Sequence, residues 1–86
     1  MSDLRTLETL KSILGQTLSL GERKNTLEAD TELLGGLPEL DSMGVINIVA
    51  ALEEHFDISI EDDEISAQTF ATLGSLAAFV DGKIAG

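Results

Sequence analysis

Leu4, Leu7, Leu10, Leu14 and Leu18 recur at steps of three and four residues, with Ile13 beside them, which is the spacing of one face of an α-helix. A leucine face of that length has to be covered, so the chain is committed to packing helix on helix. Ser2 is placed to cap this first helix. The 86 residues leave room for one core only. A chain of this size buries about 60 to 65% of the surface that its unfolded form exposes, too little to enclose a deep catalytic cleft as well. A multi-domain enzyme is thereby excluded, and residues 1–86 are read as a single domain.

From about Ser19 to Asp41 the helical pattern gives way to Gly21, Gly35, Gly36, Pro38 and scattered polar residues, with Leu27, Leu33, Leu34 and Leu37 as isolated apolar anchors. The stretch reads as a long loop packed onto the core, and a loop beyond about 12 to 15 residues is usually functional or disordered; the regular leucines argue against disorder. Ser42 to about Phe56 is the second helix, with Val45, Ile48, Val49, Leu52 and Phe56 as its core stripe. Met43, Ile46 and Ala50 make a second apolar line on another flank, interleaved with Asn47 and followed by Glu53 and Glu54. Two readings of that line stay open. It is a docking surface rimmed by acids, or the central helix of a small bundle is buried on nearly all sides.

Ile58 and Ile60 read as core plugs in an extended connector. Glu61-Asp62-Asp63-Glu64 suits the start of a short helix, where carboxylates meet the positive end of the dipole, and Ile65 and Phe70 give it an inward side. Thr72 caps a last helix in which Leu73, Leu76, Ala77, Val80 and Ile84 hold the period, ending near Gly82 and Gly86. The expected fold is all-α: a small four-helix bundle of three main helices plus one short helix, with a long loop between helices one and two.

Sixteen acidic residues against five basic ones give a net charge of −11, and no lysine or arginine occurs between Lys24 and Lys83. Nucleic acid and anionic membranes would repel such a chain, so neither is an expected partner; its partners should be basic. With 43% apolar residues it folds, unlike an acidic disordered tail. The absence of cysteine removes disulfides, thiolate metal sites and a cysteine nucleophile, and fits a reducing compartment. No apolar run approaches about 18 residues, and Met1-Ser2-Asp3-Leu4-Arg5 lacks the charge and apolar pattern of a leader. A cytoplasmic, unprocessed monomer without membrane insertion is the expectation.

Ser42, His55 and the acids invite a hydrolase reading, but on one helix those two residues lie roughly 20 Å apart, and a hydrogen bond cannot span that. No catalytic residue is expected. Asp57-Ile58-Ser59-Ile60-Glu61 resembles the opening of a calcium loop, with oxygen ligands at its first, third and fifth positions. The sixth position, however, is Asp62 instead of glycine and the twelfth is Gln68 instead of glutamate, so no specific metal site is expected, only weak divalent-ion association. Asp41-Ser42-Met43 remains, where a glycine- and proline-bearing loop turns into an apolar helix. On its own, Asp-Ser in that place is an N-cap, the serine oxygen accepting a backbone N–H.

Three segments carry a wider likeness: Leu40-Asp41-Ser42-Met43, then Leu52-Glu53-Glu54-His55-Phe56-Asp57-Ile58-Ser59-Ile60, then Phe70-Ala71-Thr72-Leu73-Gly74-Ser75-Leu76. On these residues, and over essentially its whole length, the chain resembles the acyl carrier protein superfamily, whose members carry a phosphopantetheine arm on a serine at the start of the second helix. The resemblance implies that Ser42 holds 4'-phosphopantetheine covalently, delivered from coenzyme A by a phosphopantetheinyl transferase that Asp41 helps to recognise. It also implies partner enzymes that load and transfer acyl groups through basic docking surfaces, meeting Met43, Ile46, Asn47, Ala50, Glu53 and Glu54. A phosphodiester at a helix N-terminus meets unpaired N–H groups, which suits that placement.

Many fatty-acid carriers of that superfamily have an acid right after the motif and another three positions on, where this chain has Gly44 and Asn47. The expected function is therefore an acyl or aminoacyl carrier in a dedicated biosynthetic pathway, itself not an enzyme. The rivals are an acidic helical interaction domain without a prosthetic group, in which Ser42 is only a cap, and a divalent-ion sensor.

Overall fold

The structure, a computed structural model, describes residues 4–38 and 40–85. The Ser2 cap, Glu39 and the helix end at Gly86 lie outside the described residues. Three α-helices carry the fold: α1 (Leu4–Thr17), α2 (Ser42–Phe56) and α3 (Leu73–Ala85). Short 3₁₀ helices span Gly21–Thr26 and Asp62–Glu64. Among the described residues there is no strand, only an isolated antiparallel bridge between Glu32 and Thr72. The all-α bundle with a long connection between its first two main helices is as expected from the periodicity.

α1 buries Leu10, Ile13 and Leu14, and Leu18 follows them into the core, while Leu7 is half-buried. The helix ends where Ser19 (φ 56°) and Gly21 (φ 62°) turn left-handed. Leu10 and Leu14 meet Ile48 and Leu52 of α2, Leu73, Leu76 and Val80 of α3, and Leu33 of the loop in one core of fully buried side chains. Each such burial stabilises the fold by about 1.5–3 kcal/mol. A polar contact joins α1 to α3: the Thr6 hydroxyl donates to Asp81 Oδ1 at 2.6 Å.

The loop departs from the expectation in two ways. Its first part is a 3₁₀ helix over Gly21–Thr26 that packs on α1, with the Lys24 stem over Gly15. Such short pieces carry no periodic signal. Leu20, Leu27, Leu33 and Leu40 are buried and Leu37 half-buried, but Leu34, expected as an anchor, is 40% exposed. A turn begins at this pair, with the Gly36 N–H (3.2 Å) and Leu37 N–H (2.9 Å) donating back to Leu33 O. Leu33 takes the core and Leu34 is turned out.

Backbone bonds then tie the loop to the approach of α3. Leu33 N–H and Leu34 N–H donate to Ala71 O and Phe70 O, each at 3.0 Å, and Leu73 N–H and Gly74 N–H donate to Thr31 O (3.0 Å) and Ala29 O (2.7 Å). Thr72 caps α3 as expected, its Oγ1 accepting the Ser75 N–H at 3.1 Å while Ser75 Oγ accepts the Thr72 N–H at 3.0 Å. The helix does not stop near Gly82 but runs through it to Ala85. The acidic run forms a single 3₁₀ turn rather than an α-helix; Glu61 caps it and Glu64 returns a bond to the Glu61 N–H at 2.9 Å. Ile60 and Phe70 at either end of that segment are buried, and Ile65 is half-buried.

These contacts separate two glycines of α3. A Cβ at Gly82 meets nothing within 4 Å, so Gly82→Ala should stabilise the protein by about 0.5–1 kcal/mol. A Cβ at Gly74 would lie 2.8 Å from the Ala29 carbonyl oxygen, so Gly74→Ala should cost about 1–3 kcal/mol. Urea unfolding of the two variants checks the opposite signs.

Candidate functional site

Leu40 is 5% exposed and pins the end of the loop into the core, which sets Asp41 and Ser42 at the rim just beyond it. Asp41 is extended (φ −107°, ψ −169°), and its Oδ1 accepts the Gly44 N–H at 2.8 Å. The carboxylate, not the serine, is thus the N-cap of α2. This corrects the cap reading of Ser42: that residue is the first of the helix, it is exposed, and no hydrogen bond with a described residue engages its hydroxyl. Nor are the Ser42 and Met43 N–H groups taken by the helix, whose first intrahelical acceptor, Asp41 O, receives the Val45 N–H at 2.9 Å. The first turn holds no acid of its own. A free hydroxyl beside open amides at the positive end of a helix suits a phosphate ester there.

Beside that hydroxyl runs an apolar groove of roughly 440 Å³. Val45 and Ile46 of α2 form one wall, Ile65, Ser66, Ala67 and Phe70 the other, and Leu34 closes one side, with Ser42 at the edge. The sequence reading assigned none of Leu34, Ile65 or Ala67 to the site. The Leu33-Leu34 pair, apolar beyond what an isolated anchor needs and outside any helical repeat, was the available signal.

The outer flank of α2 is open to solvent, which removes the reading that this helix is buried on nearly all sides. Met43 is 62% and Ile46 58% exposed, and Asn47 and Ala50 are exposed with them. Ile48, Val49 and Leu52 are buried, Val45 and Phe56 half-buried. Glu54 is exposed, but Glu53 has another task, because its Oε2 accepts the Ile60 N–H at 2.8 Å and so fixes the chain leaving α2.

His55 is exposed in the last turn of α2 with its ring edge-on to Phe56 at 4.9 Å, at the opposite end of the helix from Ser42. Near that end lies a wider hollow of roughly 660 Å³ between Asp57, Ile58, Glu64, Phe79 and Lys83. It is larger than the groove and is also lined by Ser59, whose exposed hydroxyl has no hydrogen bond with a described residue either, but Ser59 lies in the connector after α2 and not at the start of a helix. Among the described residues no three His, Cys, Asp or Glu side chains gather to hold a metal, and no helix is long and apolar enough to cross a membrane.

A family model described as a phosphopantetheine attachment site matches residues 7–80. An acyl carrier protein of Prochlorococcus marinus (strain MIT 9515) is 34% identical over 85 residues, covering 96% of this chain and 98% of the relative. The solution structure of a holo acyl carrier protein from Nitrosomonas europaea superposes with a TM-score of 0.90 at 60% identity, covering 96% of this chain and all of the other.

The division of labour between two neighbours has a thermodynamic consequence. Asp41→Ala should cost about 1 kcal/mol through the lost cap, whereas Ser42→Ala should stay within about 0.5 kcal/mol of the parent. Equal losses in denaturant titrations would return the capping role to the serine.

Proposed function

Because the chain belongs to the acyl carrier protein family and carries 4'-phosphopantetheine covalently, as a carrier and not a catalyst, we propose that Ser42 is the point of attachment. The carrier domain is the whole of residues 1–86. The carrying observation is the exposed Ser42 hydroxyl, left unengaged by a cap that falls on Asp41 and set at the edge of an apolar groove. When bound, the group supplies the thiol that a cysteine-free chain lacks, and acyl or aminoacyl cargo is held on it as a thioester.

Each neighbouring residue has a part in this reading. Ser42 Oγ forms the new bond to phosphorus, the pyrophosphate bond of coenzyme A breaks, its adenosine bisphosphate half leaves, and the hydroxyl proton passes to a base of the phosphopantetheinyl transferase. The open amides of Ser42 and Met43 favour the resulting anion. Asp41 keeps Oδ2 for the basic surface or magnesium ion of the transferase. Leu34, Val45, Ile46 and Phe70 offer apolar cover to cargo that turns back on the protein. Met43, Ile46, Asn47 and Ala50 form the docking surface, with Glu54, and the remaining oxygen of Glu53, steering basic partner enzymes toward it.

A tethered thioester has a high effective concentration at each enzyme the carrier reaches, so brief docking suffices and a monomer serves. Gly44 and Asn47 leave the start of α2 without the acids common in fatty-acid carriers, which supports a dedicated pathway over general fatty-acid synthesis. The cytoplasm, where coenzyme A and the transferase are at hand, is the proposed location.

Incubation with a broad phosphopantetheinyl transferase and coenzyme A should add the mass of one phosphopantetheine per chain, and Ser42→Ala should abolish the gain. An unmodified parent, beside a control carrier that is modified, would return the chain to an interaction domain without prosthetic group. Glu54→Lys should slow loading several-fold at low ionic strength, with the difference shrinking as salt rises. Glu54 would be removed from the docking surface by rates that match at every salt concentration.

A further inference from the structure

The outer wall of the groove is held less by apolar packing than the three main helices are. Residues 61–70 supply Ile65, Ser66, Ala67 and Phe70 to that wall, yet their 3₁₀ turn contains no buried residue, and between Ile60 and Phe70 only Glu64, Ile65 and Thr69 are even half-buried. Apolar packing therefore fixes the segment at its two ends, with only half-buried Ile65 resting on the core between them, and polar bonds supply the rest. Local stability in such a stretch is set by few interactions.

One lysine is central to those bonds. Lys83 Nζ donates to Glu64 Oε1 at 2.6 Å, and the same oxygen accepts the Glu61 N–H at 2.9 Å, so a single carboxylate oxygen closes the 3₁₀ turn and ties it to α3. The Lys83 ammonium also stands 5.9 Å from the Phe79 ring centre, which braces its stem on the helix surface. Further along, Thr69 Oγ1 donates to Glu64 O at 3.2 Å and Ser75 Oγ donates to Thr69 O at 2.9 Å. Glu61, Asp62, Asp63 and Glu64 repel one another, and Lys83 is the only lysine or arginine in the sequence after Lys24. The lysine, and secondarily the Glu61 N–H, hold the Glu64 carboxyl below its ordinary 4.5, so the pair is intact at neutral pH and is lost only as the pH falls beneath that value.

We propose that Lys83 is a positioning residue for the carrier function: by clamping Glu64 to α3 it sets the resting position of segment 61–70 and so the width of the groove beside Ser42. Nothing in the core depends on this pair, whose side chains are 26% and 31% exposed. Its loss frees the wall without unfolding the protein. The consequence for cargo rests on the reading of Ser42 as the tether, whereas the clamp does not.

The test separates the two. In the unmodified chain, Lys83→Met should speed amide hydrogen exchange at Glu61, Glu64 and Ile65 by about threefold or more, the range an exposed ion pair supports. The amides of Leu10, Ile13 and Leu14 should stay within about twofold of the parent, and Lys83→Arg should restore the slow rates. Unchanged exchange at the turn, or equal acceleration in α1, would overturn the clamp. In the loaded protein, hydroxylamine should cleave a medium-length acyl thioester faster in Lys83→Met than in the parent, while an acetyl thioester, too short to fill the groove, reacts alike in both. Equal rates for the longer chain would overturn the control of the groove. A chain that accepts no phosphopantetheine would sink the Ser42 reading and leave the exchange result standing.

Discussion

The hydrogen bond from Gly44 N–H to Asp41 Oδ1 decides what the first turn of α2 can offer. Either of two adjacent oxygens could have capped this helix. Because the carboxylate takes the task, the serine hydroxyl is released to solvent at the point where the helix dipole and the open amides most favour an attached anion. Leu40 makes the arrangement reproducible, since its burial fixes where the loop ends and the helix begins. The exposed hydroxyl is thus framed by an apolar anchor behind it and a charged cap beside it.

The second constraint is the pairing of the long loop with the segment that leads into α3. Four backbone bonds between residues 29–34 and 70–74 hold Leu33 in the core and leave Leu34 at the lip of the groove. The groove exists because two stretches distant in sequence are joined there. The same bonds explain why Gly74 stands where a side chain would strike the Ala29 carbonyl.

Charge plays two different parts in the molecule. The strongly negative surface has the range to steer basic partners. Besides Asp41 and Asp81, two glutamates are nonetheless structural: Glu53 receives the Ile60 N–H, and Glu64 receives both Lys83 and the Glu61 N–H. Glu53, on α2, and Glu64 both hold the connection that leads from α2 to the groove wall, so changing them for electrostatic reasons alone would disturb the geometry of the site as well.

The three main helices were legible from the sequence because helical periodicity is a local property: Leu10 and Leu14 of α1, Ile48 and Leu52 of α2, and Leu76 and Val80 of α3 are buried where their spacing put them. The exposed line of Met43, Ile46 and Ala50 was visible as a stripe, though not its exposure. Which oxygen caps α2, which of Leu33 and Leu34 turns outward, and which of Glu53 and Glu54 is tied down were not legible, because each is settled by a partner across the fold or by a choice between two equally suited neighbours. The sequence by itself determined the helices, their core faces and the place of Asp41-Ser42 at a helix start, all written in spacings of a few residues. Only the tertiary structure decided the groove, the freed hydroxyl and the Lys83–Glu64 clamp, because these depend on segments that meet only once the core has closed.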